Sequence, residues 1–190
     1  MKISVILAHP GPRSFNHAIA DMVTSTLVTS RHTVSFHDLY QERFDPLLPY
    51  DEIPRNAVLP PAIALHCQEI AAADGIVFIH PDWWGMPPAI LKGWIDRVLR
   101  PGIAYRFAET DAGDGIPVGL LVAQAVLVFN TSNTPAEREQ RVFGDPLERL
   151  WRDGIASFCG VPVFLRGGCL ALLSPVRRSS GRHGLSKYRR

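Results

Sequence analysis

The chain alternates between short apolar runs and longer segments whose apolar residues recur every three to four positions. Residues 3–8 form a β-branched run that ends at the Pro and Gly residues of 10–12, which is typical of a strand buried on both faces. Apolar positions over 15–27 recur at helical spacing, and Ser14 is a suitable N-cap. Residues 33–39 alternate like a strand. The first forty residues therefore predict a β-loop-α-β unit.

This alternation continues further along the chain. Three more segments have helical patterns: 62–73, Pro87 to about residue 100, and Pro146 to about Gly160. They alternate with strand patterns at 76–79, 125–129 and 161–165, and the last of these has a second part at 169–173. Residues 40–61 and 109–119 are predicted to be loops. Since 46% of the 190 residues are hydrophobic and only 20% are charged, the chain can close one sizeable core. Five strands separated mostly by helices predict an α/β fold, a doubly wound parallel sheet with helices on both faces.

Charge, cysteine content and hydropathy exclude several classes of protein. A net charge of +2 is too small to indicate a nucleic-acid partner. Cys67, Cys159 and Cys169 are odd in number and lack C-x2-C spacing, so we expect no disulfide framework, no metal site and a reducing, cytoplasmic location. No segment approaches the ~20 apolar residues of a membrane span, and the run at 3–8 has no signal-cleavage pattern after it.

One detail of the third predicted helix concerns its charges. Lys92, Asp96 and Arg100 follow one another at i, i+4 spacing, so we expect them to form ion pairs on the outer face of that helix.

Ligands of a doubly wound sheet bind beyond the carboxyl ends of its strands, which directs attention to three loops. In the first, residues 9–16 deliver a helix N-terminus directly after a strand. Its backbone N–H groups, with Ser14, Asn16 and the cationic forms of His9 and Arg13, could bind an anion such as a phosphate. An ordinary capped helix after a Pro-rich turn explains the same residues.

The second and third loops carry groups suited to a flat, polar ligand. Residues 80–88 contain Trp83 and Trp84, and adjacent side chains of an extended segment alternate, so the two indoles cannot both point inward and we expect one to offer a face or an edge to a flat ligand. Residues 130–134 are dense in hydrogen-bonding groups that suit a ring with carbonyls and nitrogens, although capping of a helix at 136–141 would also account for them.

Common catalytic motifs are missing from the sequence. Neither G-x-G-x-x-G nor G-x4-G-K-[ST] is present, which disfavours a Rossmann dinucleotide site and a P-loop. A G-x-S-x-G elbow is also missing, so hydrolytic chemistry is disfavoured.

Several motifs together resemble those of the flavodoxin-like NAD(P)H:quinone oxidoreductases. They are Pro81-x-x-Trp84, the segment from Pro88 to Leu99, Gly102-Ile103-Ala104-Tyr105, and Ala8-His9 followed by Ser14-Phe15-Asn16. The similarity covers roughly residues 2–165 and implies a five-stranded sheet of order 2-1-3-4-5. We therefore expect a flavodoxin-like domain over residues 1–175.

The resemblance also implies a function. The family binds a flavin, FMN or FAD, non-covalently and passes two electrons from NAD(P)H through flavin N5 to a quinone or similar acceptor by ping-pong hydride transfer. Its site is usually completed in a homodimer. Tyr105 would lie near the nicotinamide or quinone. The residues implied to bind the cofactor are His9, Ser14, Phe15, Asn16, Pro81, Asp82, Trp83, Trp84, Asn130, Thr131, Ser132 and Asn133.

Two alternatives share this fold. A flavodoxin-type electron carrier would need no nicotinamide pocket and is typically strongly acidic, unlike this chain. An ancillary subunit of a potassium-efflux transporter would bind a membrane partner. Residues 176–190 differ from the rest: they hold six of the 20 Lys and Arg residues and none of the 18 acids, and they are predicted to form a disordered basic tail.

Overall fold

The central sheet has five parallel strands. The computed structural model describes residues 1–108 and 115–171, with the backbone alone at 168–171. The spatial order of the strands is β2-β1-β3-β6-β7, which confirms the predicted order 2-1-3-4-5. A separate antiparallel hairpin pairs β4 with β5. The strands are β1 (Lys2–Leu7), β2 (Thr33–Asp38), β3 (Gly75–Pro81), β4 (Tyr105–Phe107), β5 (Pro117–Gly119), β6 (Ala125–Ser132) and β7 (Val163–Ala171).

The predicted helices are present with small shifts of their ends. They are α1 (Phe15–Thr29), α2 (Pro61–Ala71), α3 (Ala89–Val98), α4 (Ala136–Arg138) and α5 (Pro146–Arg149). The last two continue in π geometry, α4 as Glu139–Phe143 and α5 as Leu150–Ser157, and a 3-10 turn lies at Tyr50–Glu52. No helix within the described ranges is long and apolar enough to cross a membrane.

The core lies on both faces of the sheet. On one face Phe78 of β3 packs against two fully buried indoles, with ring centroids 5.7 Å from Trp94 and 4.5 Å from Trp151. On the other face α1 covers a smaller cluster that contains Val5 and Val77. Because every central strand is covered on both faces, these strands have nearly continuous apolar sequences rather than alternating ones.

Two predictions about strands were wrong in detail. The strand predicted at 125–129 extends to Ser132, because β3 pairs with it as far as Thr131 and β7 as far as Ser132. Residues 130–132 therefore belong to the carboxyl end of β6 and not to a loop. Part of the predicted loop at 109–119 pairs with β4 as strand β5, whose Val118 lies opposite Arg106.

Two stretches, 109–114 and 172–190, lie outside the described residues. The second stretch contains the part of the last predicted strand beyond Ala171 and the whole predicted basic tail.

Candidate functional site

A cavity of about 310 Å³ lies beyond the carboxyl ends of β1, β3 and β6, where the direction of winding reverses. It brings together ten of the residues singled out from the sequence: His9, Ser14, Phe15, Asn16, Pro81, Asp82, Trp83, Thr131, Ser132 and Asn133. We call it the first cavity. Trp84, Asn130 and Tyr105 do not line it.

The N-terminus of α1 forms one wall of the first cavity. Ser14 has extended backbone geometry, and its hydroxyl oxygen accepts a hydrogen bond from the backbone N–H of His17 at 3.3 Å, so it is the predicted N-cap. The opening N–H groups of a helix have no intrahelical acceptor, and the helix dipole is positive there. This end of α1 can therefore bind an anionic group.

Asn16 lies deepest in this wall, with only 2% of its surface exposed. Its Nδ2 donates to the Thr131 hydroxyl at 2.9 Å, but its Oδ1 has no hydrogen-bond partner among the described residues. A buried carbonyl oxygen without a donor is costly. The site thus offers an unused acceptor for a hydroxyl or N–H group of a ligand.

A chain of hydrogen bonds that the sequence did not reveal fixes the Ser14 side chain. Ser14 Oγ lies 2.8 Å from His17 Nδ1, and His17 Nε2 lies 3.1 Å from a carboxylate oxygen of Asp38. Asp38 also accepts from the backbone N–H groups of Tyr40 and Gln41 at 3.1 Å, which holds it in place after β2. His17 therefore links the end of β2 to the anion-binding end of α1.

His9 lies beside this wall at the end of β1. Its Nδ1 lies 3.0 Å from the backbone nitrogen of Gly11 and 3.3 Å from the Gly11 carbonyl oxygen, so Gly11 holds the ring in place. Burial lowers the pKa of His9, with a smaller opposing effect from its contact with Gly11. The ring centroid lies 6.4 Å from that of Trp83, and the two rings form an aromatic corner of the cavity.

The second loop is a tight turn that exposes both of its indoles. The backbone groups of Trp83 and Met86 exchange two hydrogen bonds of 3.1 Å, and Trp84 and Gly85 both have positive φ, as in a type I′ turn. Trp83 is 43% exposed and Trp84 is completely exposed. The segment is a turn and not the extended stretch that the sequence suggested, and it directs both indoles away from the core.

Asp82 anchors this turn to the neighbouring strand. Its N–H donates to the Thr131 carbonyl at 2.7 Å, and its Oδ1 accepts from the Gly85 N–H at 2.9 Å. Burial raises the pKa of Asp82, although the bond from Gly85 and the charge of Arg166 oppose the shift.

The extension of β6 supplies the third wall. Ser132 Oγ accepts from the backbone N–H of Thr134 at 3.0 Å, which shapes the end of this strand. Asn130, which was predicted to bind the cofactor, is buried outside the first cavity, and its Oδ1 accepts from Arg166 Nε at 2.7 Å.

A second cavity of about 380 Å³ adjoins the first and shares Asp82, Ser132 and Asn133 with it. Its remaining lining residues are Trp84, Gly85, Thr134, Glu139, Phe143 and Pro146. Glu139 had no sequence signal, because nothing in the pattern indicates that the π turn after α4 directs a carboxyl group to this edge.

Tyr105 and His80 lie away from both cavities. Tyr105 is in the β4–β5 hairpin, where its ring packs 4.8 Å from Phe158, and burial raises its pKa. His80 is fully buried: its Nδ1 donates to the Pro81 carbonyl at 2.8 Å, and its Nε2 accepts from Trp151 Nε1 at 3.1 Å. Burial lowers the pKa of His80 to about 4, so this ring is a neutral support beneath the site.

The fold and the site define a class of protein, the flavodoxin-like domains that bind a ligand at the carboxyl edge of a doubly wound sheet. A family model described as a flavodoxin-like fold matches residues 1–165. An uncharacterised NAD(P)H oxidoreductase of Haemophilus influenzae is 34% identical over 161 residues, covering 83% of this chain and 77% of that protein. The chain therefore belongs to the flavodoxin-like NAD(P)H:quinone oxidoreductase family, as its motifs indicated, and is an oxidoreductase.

Two further comparisons extend this finding. The ribosyldihydronicotinamide dehydrogenase [quinone] of Pongo abelii is 30% identical over 185 residues, covering 85% of this chain and 78% of that protein. An FMN-dependent NADH-azoreductase of Bacillus anthracis, solved in complex with FMN, has the same fold with a TM-score of 0.70. It is 17% identical and covers 92% of this chain and 90% of that one.

Proposed function

We propose that this protein is a flavin-dependent NAD(P)H:quinone oxidoreductase that transfers two electrons by a ping-pong sequence. The observation that carries the proposal is the first cavity, which combines a helix N-terminus, the unpaired Oδ1 of Asn16 and the exposed face of Trp83. These are the groups needed for a phosphate, a hydroxylated chain and a planar ring, which are the three parts of FMN and of the flavin half of FAD. The family assignment supports the same reading.

The residues of the cavity fit the parts of a flavin in order. The phosphate would lie at the N-terminus of α1, near Ser14, Phe15 and Asn16. The ring would lie against Pro81, Asp82 and Trp83, with Thr131, Ser132 and Asn133 providing polar groups along the other wall. The bound flavin supplies hydride chemistry at N5 between NAD(P)H and the acceptor.

The names of related proteins support the two co-substrates. NAD(P)H is named for the Haemophilus relative and a quinone for the Pongo relative, and the azoreductase shows that this fold accommodates FMN. We therefore propose NAD(P)H as donor, a quinone or similar compound as acceptor, and FMN or FAD as the bound group.

We further propose that the active form is a homodimer in a reducing, cytoplasmic environment. Three large apolar side chains in or beside the cavities, Trp84, Met86 and Phe143, are between 47% and 100% exposed, and a second copy of the chain could cover this apolar surface. Cys67 and Cys159 are both free, buried thiols, which suits a reducing environment. Light scattering on the purified chain measures the assembly directly, and a monomer at micromolar concentration would contradict the dimer.

The test of the proposed function is reconstitution followed by turnover. The purified protein is incubated with FMN or FAD, its visible spectrum is recorded, and oxidation of NADH and NADPH is followed with a benzoquinone. We expect bound flavin and quinone-dependent turnover. Flavin binding without NAD(P)H oxidation would instead indicate an electron carrier, and a protein that binds neither flavin would refute the proposal.

A pair of matched variants tests the position of the flavin. Asn16→Ala removes the unpaired buried Oδ1 and should weaken flavin binding about tenfold, the effect of roughly one hydrogen bond. Asn56→Ala, at an exposed loop position, is the control and should bind flavin like the unaltered protein. Equal affinities of the two variants would place the flavin elsewhere.

A further inference from the structure

Glu139 is a mostly buried residue whose carboxyl group reaches a cavity and has no partner among the described residues. Only 7% of its surface is exposed, and its side chain lines the second cavity at the start of the π turn after α4. Within the part of the chain that the structure describes, no hydrogen bond or ion pair is formed by this side chain, although its backbone N–H donates to the Pro135 carbonyl at 3.0 Å. Carboxyl groups are rarely buried unless they are paired, so its placement calls for a functional explanation.

The groups that face Glu139 favour its protonated form. Asp82 approaches from the loop after β3, Asp145 from the start of α5 and Arg166 from β7. Arg166 is already engaged, since its Nη1 donates to both carboxylate oxygens of Asp145 at 2.6 and 2.5 Å. Burial and the charges of Asp82 and Asp145 raise the pKa of Glu139, and Arg166 only partly offsets them.

Other titratable groups at the site are less suited to donate a proton. Burial raises the pKa of Asp82 as well, but its Oδ1 is already engaged by the Gly85 N–H, and both nitrogens of His80 are occupied beneath the surface. The Glu139 carboxyl group is not engaged by any other described residue, and it lines a cavity that adjoins the proposed flavin cavity along Asp82, Ser132 and Asn133.

We propose that Glu139 is the general acid that protonates the quinone, an inference that rests on the proposed function. NAD(P)H supplies a hydride, which carries two electrons and one proton, whereas reduction of a quinone to a hydroquinone takes two electrons and two protons. The hydride delivers the electron pair and one of the two hydrogens to the quinone, both carbonyl C=O bonds become C–O single bonds, and the oxygen that does not receive the hydride takes the proton from Glu139. The O–H bond of Glu139 breaks, a new O–H bond forms on the hydroquinone, and solvent returns a proton to the carboxylate.

The experiment compares Glu139→Gln with Glu137→Gln, a matched change at an exposed position two residues away. Each flavin-loaded protein is assayed with NAD(P)H and either a benzoquinone or ferricyanide, which accepts single electrons and takes no proton. General acids contribute roughly 10²–10⁴-fold. We expect Glu139→Gln to lower kcat/KM for benzoquinone by about a hundredfold and to leave ferricyanide reduction within twofold, while Glu137→Gln changes neither.

Two further measurements separate an acid from a structural residue. In the unaltered protein kcat/KM for benzoquinone should fall as the pH rises through the pKa of Glu139, and Glu139→Gln should lack this limb of the profile. Independently of turnover, infrared spectra of the apoprotein over a pH series should contain a carboxylic-acid C=O band that persists to higher pH than the bands of exposed carboxyl groups. This band should be missing from Glu139→Gln and present in Glu137→Gln.

The outcomes are distinguishable. If the unaltered protein oxidises NAD(P)H with both acceptors but Glu139→Gln affects both equally or neither, the acid role is wrong and the proposed function stands. If Glu139→Gln removes no band that persists above the pH at which exposed carboxyl groups ionise, the pKa of Glu139 is not raised and the acid role is also wrong. If the unaltered protein reduces neither acceptor, the proposed function itself fails, and the inference fails with it.

Discussion

Arg100 shows how a side chain can depart from the helical spacing of its sequence. The predicted pair of Lys92 and Asp96 is present on the outer face of α3, with Nζ 2.6 Å from a carboxylate oxygen. The predicted pairing of Asp96 with Arg100 was wrong. The helix ends at Val98, so Arg100 leaves the helical register, becomes buried and donates to the carbonyl oxygens of Glu52 and Pro54 at 2.7 Å.

Three residues before Arg100, Arg97 forms a buried ion pair that holds the long connection between β2 and α2. Its Nε and Nη2 donate to the two carboxylate oxygens of Glu52 at 3.0 and 2.5 Å, and its Nη1 donates to the Asp45 carbonyl at 2.6 Å. Both side chains are about 5% exposed. Bidentate pairing of this kind has high geometric specificity.

We predict that Glu52→Ala is strongly destabilising, because it leaves the Arg97 guanidinium buried without its counterion. The free energy of unfolding should fall by roughly 3–5 kcal/mol in denaturant titrations. Asp96→Ala is the control: it breaks the exposed pair with Lys92 and should cost less than about 1 kcal/mol. Similar losses for the two variants would show that the Glu52 pair contributes no more than a surface pair.

At the scale of elements, α3 lies so close to this connection that one helical position has no room for a side chain. A Cβ atom at Gly93 would overlap the carbonyl oxygen of Pro46. Gly154, in the π segment after α5, has no such neighbour, since the nearest atom to a Cβ there is a Leu150 methyl at 4.0 Å.

The two glycines therefore predict opposite effects of the same substitution. Gly93→Ala should destabilise the protein by roughly 1–3 kcal/mol, because overpacking outweighs the better helix propensity of Ala. Gly154→Ala should raise the free energy of unfolding by up to about 1 kcal/mol. Thermal unfolding of both variants measures the difference, and a stabilised Gly93→Ala would mean that the connection moves freely away from α3.

The predicted third loop illustrates the limits of local patterns for an element. Polar residues after 129 suggest that a strand has ended, yet β6 continues because β3 and β7 supply paired backbone groups on both sides as far as residues 131 and 132. Buried backbone groups follow the available hydrogen-bond partners rather than side-chain polarity.

For the whole molecule, a cluster of histidines and carboxylates links β2 to α2. His37 lies 2.9 Å from Glu42 through Nδ1 and 2.5 Å from Glu69 through Nε2, while His66 Nε2 lies 3.5 Å from Glu42. The spacing of His37, Glu42 and His66 would suit a metal ion. However, Trp94 Nε1 donates to His66 Nδ1 at 3.1 Å, which places the proton of the neutral ring on Nε2, the atom that a metal would need.

The cluster makes stability depend on pH. Burial lowers the pKa of His37, but its hydrogen bonds to Glu42 and Glu69 outweigh burial, so the pKa lies above its usual 6.5. Burial raises the pKa of Glu42, but hydrogen bonds from His37 and His66 lower it to about 2 from 4.5. The His37 contribution is complete below pH 6.5 and lost as the pH rises through the raised pKa, and the Glu42 contribution is complete above pH 4.5 and lost towards pH 2.

We therefore predict that His37→Gln destabilises the protein most between about pH 4.5 and 6.5. Denaturant titrations of both proteins from pH 4 to pH 9 give the two curves, whose separation should narrow as the pH rises above 6.5. Curves that stay parallel over the whole range would show that His37 is uncharged in the folded protein.

Charge is also divided unevenly over the molecule. Residues 176–190 carry six basic residues and no acid, so residues 1–175, with 14 basic and 18 acidic residues, have a net charge of −4. The residues that line the first cavity all lie between positions 9 and 133.

We predict that deletion of residues 176–190 leaves flavin affinity unchanged within about twofold. It should also weaken retention on a cation exchanger, because the net charge changes from +2 to −4. Flavin titration and salt elution measure the two effects, and a loss of flavin binding would show that these residues contribute to the fold or the site.

The sequence by itself determined the type and order of the main elements, because apolar periodicity and Pro and Gly positions act over a few neighbouring residues. Together with the switch-point rule, that was enough to bring His9, Asn16, Asp82 and Thr131 to one edge of the sheet. Only the tertiary structure decided which side chains are paired across long stretches of chain. Arg97 pairs with Glu52, Arg166 donates to Asn130, and Glu139 lines the second cavity without a side-chain partner among the described residues. Such placements depend on packing between elements and leave no periodic signal in the sequence.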